Sequence, residues 1–341
     1  MTLSLADGLA GIILVSLTAY VLFGGADFGG GVWDLLASGP RRTEQRQLIS
    51  QAIAPVWEAN HVWLILAIVL LFTCFPVAFA RMAIVLHIPL TLMLIGIVLR
   101  GSAFMFRSYG GGGARVFATA SLMTPVLLGV SVGAVASGAL RETGHATQET
   151  FIAAYVLPWL TPFAFAVGGF ALVCFAYLAA VYLTIEAKER ASQEDFRSRA
   201  IVSGVAVFLM AVIGLVLSAQ APLVQRGLLA TRWALGLHVL TGAAALTVFW
   251  ALWKRRYGIA RVAVAAQVTL IVWGWGLAQY PYVLPPDLTI DAAAAPRITL
   301  ELTLAAVTVG AVLLFPSLCY LLRVFKGPSA APPTTPPLHR R

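Results

Sequence analysis

The chain has 341 residues, of which 60% are apolar and only 11% are Asp, Glu, Lys or Arg, and it carries a formal net charge of +9. Soluble proteins hold roughly a quarter charged residues. No water-facing fold of two or three domains could hide this much hydrocarbon, so the solvent is lipid. The positive balance does not indicate nucleic acid, because the basic residues fall in short patches between apolar runs. Cys74, Cys174 and Cys319 lie within such runs without a Cys-x-x-Cys spacing, so neither a disulfide framework nor a metal site is implied.

A bilayer core of about 30 Å needs roughly 20 apolar residues per helix. Nine stretches meet this requirement, near residues 8–29, 56–78, 83–106, 117–139, 155–184, 199–219, 235–253, 259–279 and 300–322. The first has no cationic stretch before it and no small-residue cleavage site after it, and reads as a retained helix. Runs such as Leu64–Phe72 do not alternate as β-barrel strands do. The expected fold is therefore all-α, a bundle of about nine transmembrane helices over residues 1–326. A Pro-rich tail, residues 327–341 (GPSAAPPTTPPLHRR), has no apolar face and is expected to be disordered. The charged connections LLASGPRRTEQRQLI and LTIEAKERASQEDFRSRAIV, after spans one and five, fit a four-plus-four pseudo-repeat with one extra helix.

The cations set the orientation. Eighteen of the 23 Lys and Arg residues fall in the connections after spans one, three, five and seven or in the tail, including Arg41, Arg46, Lys188, Arg199 and Arg255. By the positive-inside rule the N-terminus lies outside and the C-terminus in the cytoplasm.

Ionisable groups within spans are costly and mark functional positions. Asp27 lies in Gly24-Gly25-Ala26-Asp27-Phe28-Gly29-Gly30-Gly31, near the inner end of span one. Glu58 lies in Trp57-Glu58-Ala59-Asn60-His61-Val62-Trp63, at the inner end of span two. The two helices run in opposite senses, so both acids fall at similar depth. Trp57, Glu58 and His61, spaced three and four apart, share a helix face. Arg100, near the inner end of span three, can reach the same layer. Removal from water favours a carboxyl's neutral form and a nearby cation offsets that, so such a layer suits proton exchange. Taken alone, each acid could equally be a capping, ion-paired or hydrated interfacial group. His87 and His238 are the sole plausible pair for a bis-histidine haem; a lone intramembrane His is more often hydrogen-bonded to a neighbouring helix. Trp63 fits packing better than a quinone or lipid cleft.

The stretches GADFGGGVWDLL and APVWEANHVWLI resemble subunit II of the cytochrome bd-type quinol oxidases. The resemblance continues through RGSAFMFR, AAVYLTIEAKERASQEDFRSRA and AQYPYVLPPDLTIDAAAAPRITLELTL, and so covers nearly the whole chain in order. The Trp-Glu-x-Asn-x-Val-Trp block is its most specific element. Many members carry an Asp-Gly-Phe-Asp pair in the first helix, where this chain has Gly24 and Asp27; many have an acid at the position of Met105; and their Trp-Asp is Trp57-Glu58 here. The resemblance implies a subunit of a bacterial inner-membrane oxidoreductase that reduces oxygen to water with quinol. Its partners would be a subunit I holding haems b and d, with room for a small single-helix subunit, besides membrane lipid and quinol as substrate of the complex. No cofactor is expected on this chain itself, apart from a structural quinone that some members hold. By position, Glu58 and Asp27 would line a cytoplasmic proton path, with Trp57, Asn60, His61 and Arg100 supporting it. Two other classes compete: a proton-coupled secondary transporter, marked by inverted repeats and a midplane site, and a purely structural partner subunit.

Overall fold

The computed structural model describes residues 4–108, 113–141 and 150–326, and the side chains of 54–59, 107, 108, 114, 318 and 321–326 lie outside the described residues. So does the tail, 327–341. The first helix, α1 (Leu5–Leu35), begins at a capping box. Ser4 accepts from the Asp7 amide and Asp7 accepts from the Ser4 amide, which satisfies two helix-end donors. Next comes α2 (Arg42–Cys74). Phe75, at φ −135° and ψ 58°, leaves the helical region, and Pro76 opens a short helix α3 (Pro76–Val85) bent by 115° from the end of α2. Two further long helices follow, α4 (His87–Ser108) and α5 (Ala114–Ser137), the latter closed by Gly138 at φ 77°, the left-handed conformation that glycine adopts at little cost. A one-turn helix, α6 (Phe151–Tyr155), precedes α7 (Pro162–Glu186) and α8 (Arg190–Leu217). After a 3-10 turn come α9 (Pro222–Ala230), α10 (Arg232–Trp253) and α11 (Tyr257–Gln279). A small antiparallel hairpin, β1 (Tyr282–Leu284) and β2 (Leu288–Thr289), then α12 (Ile290–Ala293), lead into α13 (Arg297–Lys326).

Among the described residues eight helices are long and apolar enough to cross a membrane, or nine if the bent pair α2–α3 makes one span. Two expected spans are placed differently. The second does not run straight to residue 78, because Pro76 cannot continue the ladder and the chain turns at Phe75. The fifth does not begin at 155. Thr161 caps α7 by accepting from the Ala164 amide at 3.1 Å, and Pro162 sits where a missing N–H costs nothing.

The order of elements recurs. In the first half α1, α2, α3, α4 and α5 follow one another as long, long, short, long, long; α7, α8, α9, α10 and α11 do the same in the second. The break before the short helix is made alike in both, by Phe75 at −135°, 58° followed by Pro76 and by Ala221 at −131°, 71° followed by Pro222. The remaining long helix, α13, lies outside both halves. The halves join where α7 packs on α1 and α5. Small residues permit this contact: a Cβ on Gly29 would overlap the Phe175 carbonyl, and one on Gly168 would lie 2.7 Å from that of Val126.

The second half has a hydrocarbon interior, built from Leu178, Val181, Val248, Ala251, Val264 and Val268. Large apolar side chains on α8, α10 and α13 face outward, among them Val202, Phe208, Leu235, Leu246, Val309 and Val312. Such surfaces suit acyl chains or another subunit.

Candidate functional site

Asp27 and Arg100 each lie eight residues from the end of their helix, at Leu35 and Ser108. That puts both about 12 Å in from the same end of the bundle, at 1.5 Å per residue. Neither reaches solvent: Arg100 is 1% exposed and Asp27 0%. The guanidinium holds the carboxylate through Nη2, 2.5 Å from Asp27 Oδ1, and donates from the same nitrogen to the Asp27 carbonyl at 2.8 Å. Its Nε donates to Ser121 Oγ at 3.0 Å, and that hydroxyl donates to the Phe117 carbonyl. The rings of Phe28 and Phe117 lie 4.7 and 4.9 Å from the guanidinium carbon, so their π-faces also take up part of its charge. One cation thereby ties α1, α4 and α5 together.

The second carboxylate oxygen is held differently. Among the described residues Asp27 Oδ2 receives only Asn60 Nδ2, at 3.5 Å, the outer limit of a hydrogen bond. Asn60 is itself fully buried. Gly24 makes room for it: a Cβ there would approach Asn60 Nδ2 to 3.3 Å. Asp27 therefore presents one oxygen neutralised by Arg100 and one loosely engaged.

Of the residues singled out in the sequence, Asp27, Arg100 and Asn60 come together. Trp57 and Glu58 lie on α2 within two turns of Asn60, but their side chains fall outside the described residues. His61 lies at the same depth but on another side of α2. One residue on from Asn60, it is turned about 100° around the helix and lines an open cleft of about 630 Å³ between α2 and α4, with Ile97, Val98, Gly101, Ser102, Met105 and Phe106. Trp63 is 7% exposed and packs with Tyr20, Phe28 and Phe175. Sequence reasoning missed Ser121, Phe28 and Phe117, the neighbours that complete the Arg100 site. A hydroxyl or a ring inside an apolar run carries no signal of its own.

His87 and His238 are exposed on the apolar surface, and each already bonds a backbone carbonyl, of Ile84 at 2.8 Å and of Leu228 at 2.9 Å. Among the described residues no group of three or more His, Cys, Asp or Glu could hold a metal ion.

Fold and site together define a polytopic α-helical membrane protein with an ionic layer buried in one of two similar halves. The chain belongs to the cytochrome bd terminal oxidase subunit II family, whose sequence model matches residues 5–325. It is thus a multi-pass subunit of a bacterial quinol oxidase, an oxidoreductase complex. A relative from Bacillus subtilis strain 168, provisionally named cytochrome bd menaquinol oxidase subunit II, is 22% identical over 321 residues, covering 90% of this chain and 91% of its own. A second protein of that strain, cytochrome bd ubiquinol oxidase subunit 2, is 34% identical over 96 residues, 28% of each chain. A chain in the structure of the bd oxidase from Geobacillus thermodenitrificans shares the fold, with TM-score 0.80, 22% identity and coverage of 95% of this chain and 99% of that one.

Proposed function

We propose that this chain pairs with a haem-bearing subunit I and that its first half takes up protons from the cytoplasm for the reduction of oxygen to water at the partner's haems. The observation that carries the reading is the wholly buried Asp27, with one oxygen fixed by Arg100 and the other only loosely met by Asn60. A charge at this depth survives only when compensated. Arg100 supplies the compensation and leaves Oδ2 as the oxygen able to take and release a proton. Glu58 begins the route nearer the basic connections, and the positive-inside rule makes that end cytoplasmic. The haems supply the oxygen chemistry; this chain's part is to hold and hand on protons. The α2–α4 cleft beside His61 is the place for a lipid tail or a structural quinone.

A purely structural role is the second reading, favoured by the way Arg100 stitches three helices. Oxygen consumption by the purified complex, normalised to haem content, separates the two. Asp27→Asn keeps an acceptor for Arg100 but cannot ionise, and Glu58→Gln is likewise close in shape. Each is expected to lower turnover about a hundredfold, the low end of what a positioned proton donor contributes. Unchanged turnover in both would leave only the structural role.

A further inference from the structure

Hydroxyls buried in this bundle follow a habit. Ser16, Thr18, Ser121, Ser131 and Thr184 each donate to the carbonyl three or four residues earlier, at 2.6–2.9 Å. Such back-bonding is the cheapest way to satisfy a hydroxyl inside a membrane helix. Thr124 breaks the habit. It is 1% exposed, and its Oγ1 has no hydrogen-bond partner among the described residues. It lies on α5 one turn beyond Ser121 and faces Gly96 on α4, which lies one turn beyond Arg100; a Cβ on Gly96 would overlap that hydroxyl.

Two further orphans lie nearby. Asn60 Oδ1 is buried beside Asp27, and the Tyr20 hydroxyl, on a side chain 1% exposed, also has no partner among the described residues. Tyr20 stands two turns from Asp27 along α1, away from the basic end, and both charges of the Asp27–Arg100 pair act on it. It packs in the cluster that includes Ile97 of α4 and Leu128 of α5, which lie within about one helical turn of Gly96 and Thr124 along their helices. Elsewhere in the core a phenol is satisfied: Tyr177, equally buried, reaches Gln267 Oε1 at 3.4 Å.

A buried polar atom without a partner costs as much as a lost hydrogen bond, and buried water is the usual remedy where several converge. We propose that Asn60, Thr124 and Tyr20 hold a short file of internal water, which extends the route from Asp27 further into the first-half bundle, with the Tyr20 hydroxyl as its inner station. Gly24 and Gly96 bring the Asn60 amide and the Thr124 hydroxyl close against the backbones of α1 and α4. The proposal rests on the proton-uptake reading, because such water gains a function only if Asp27 passes protons to it. In the relay each hydroxyl or water accepts a proton on one side and releases another on the opposite side, so nothing is consumed.

The test uses the complex with its partner subunit. X-ray radiolysis in ¹⁸O-labelled water marks buried side chains that touch ordered water. Tyr20 should be labelled and Tyr177, equally buried but protein-bonded, should not. Tyr20→Phe and Thr124→Val should each lower quinol-driven oxygen consumption about fivefold, the rate equivalent of one hydrogen bond. Ser131→Ala, whose hydroxyl bonds its own helix, should leave it unchanged. Labelling of Tyr20 no greater than that of Tyr177 overturns the water file, whether or not the variants assemble. Labelling with full turnover in both variants overturns the route through it. Should Asp27→Asn slow the enzyme while Tyr20→Phe does not, this extension fails and proton uptake stands; should neither slow it, the uptake reading itself fails.

Discussion

Arg100→Met alone is expected to prevent the complex from accumulating in the membrane, whereas Arg100→Met combined with Asp27→Leu is expected to restore assembly without restoring turnover. The single change leaves a carboxylate, 0% exposed, with no counter-charge. Breaking a buried pair from one side costs about 3–5 kcal/mol, while replacing both partners by apolar groups is often neutral. Phe28 and Phe117, which now lie against the guanidinium, would pack against the Met side chain. The yield of haem-containing complex and its unfolding temperature measure the first expectation, and oxygen consumption the second. Normal assembly of the single variant would mean that Arg100 is not the counter-charge. Full turnover in the double variant would mean that the pair only braces the helices.

The second large effect is steric. Gly29→Ala would drive a methyl into the carbonyl of Phe175 and against Ala179, where α1 meets α7 and the two halves join. Neither backbone can yield without parting the halves, and overpacking of this kind costs about 1–3 kcal/mol or more. Gly11→Ala on the same helix meets nothing within 4 Å and gains helix propensity. Thermal unfolding of the purified complex should therefore fall for Gly29→Ala and stay level or rise for Gly11→Ala. Equal behaviour of the two would deny that this contact governs packing.

Much of this architecture was legible because lipid imposes a simple rule. A helix crossing hydrocarbon must be apolar for about 20 residues, so the spans stand out, as do Asp27 and Arg100 as violations within them. What escaped was geometry that composition does not encode. Pro76 is a visible helix breaker in the sequence, but the apolar run continues past it and hides the 115° bend, and its twin at Ala221-Pro222 becomes visible as a twin only through matching backbone angles. The shared face of Trp57, Glu58 and His61 follows from spacing, yet spacing cannot say which way that face turns. Asn60 goes inward to Asp27 while His61 lines the outer cleft. Ser121, Thr124 and Tyr20 were invisible because a hydroxyl in a span ordinarily bonds its own helix. Only their neighbours reveal which of them do not.

The most direct measurement is proton uptake itself, followed with a pH-indicating dye as the reduced complex reacts with oxygen in a single turnover. With Asp27→Asn and an intact haem complement, proton uptake is expected to lag far behind that of the unaltered complex and to limit the oxidation that depends on it. Uptake at the unaltered rate would contradict the account, and Asp27 with Arg100 would then be a buried brace and nothing more.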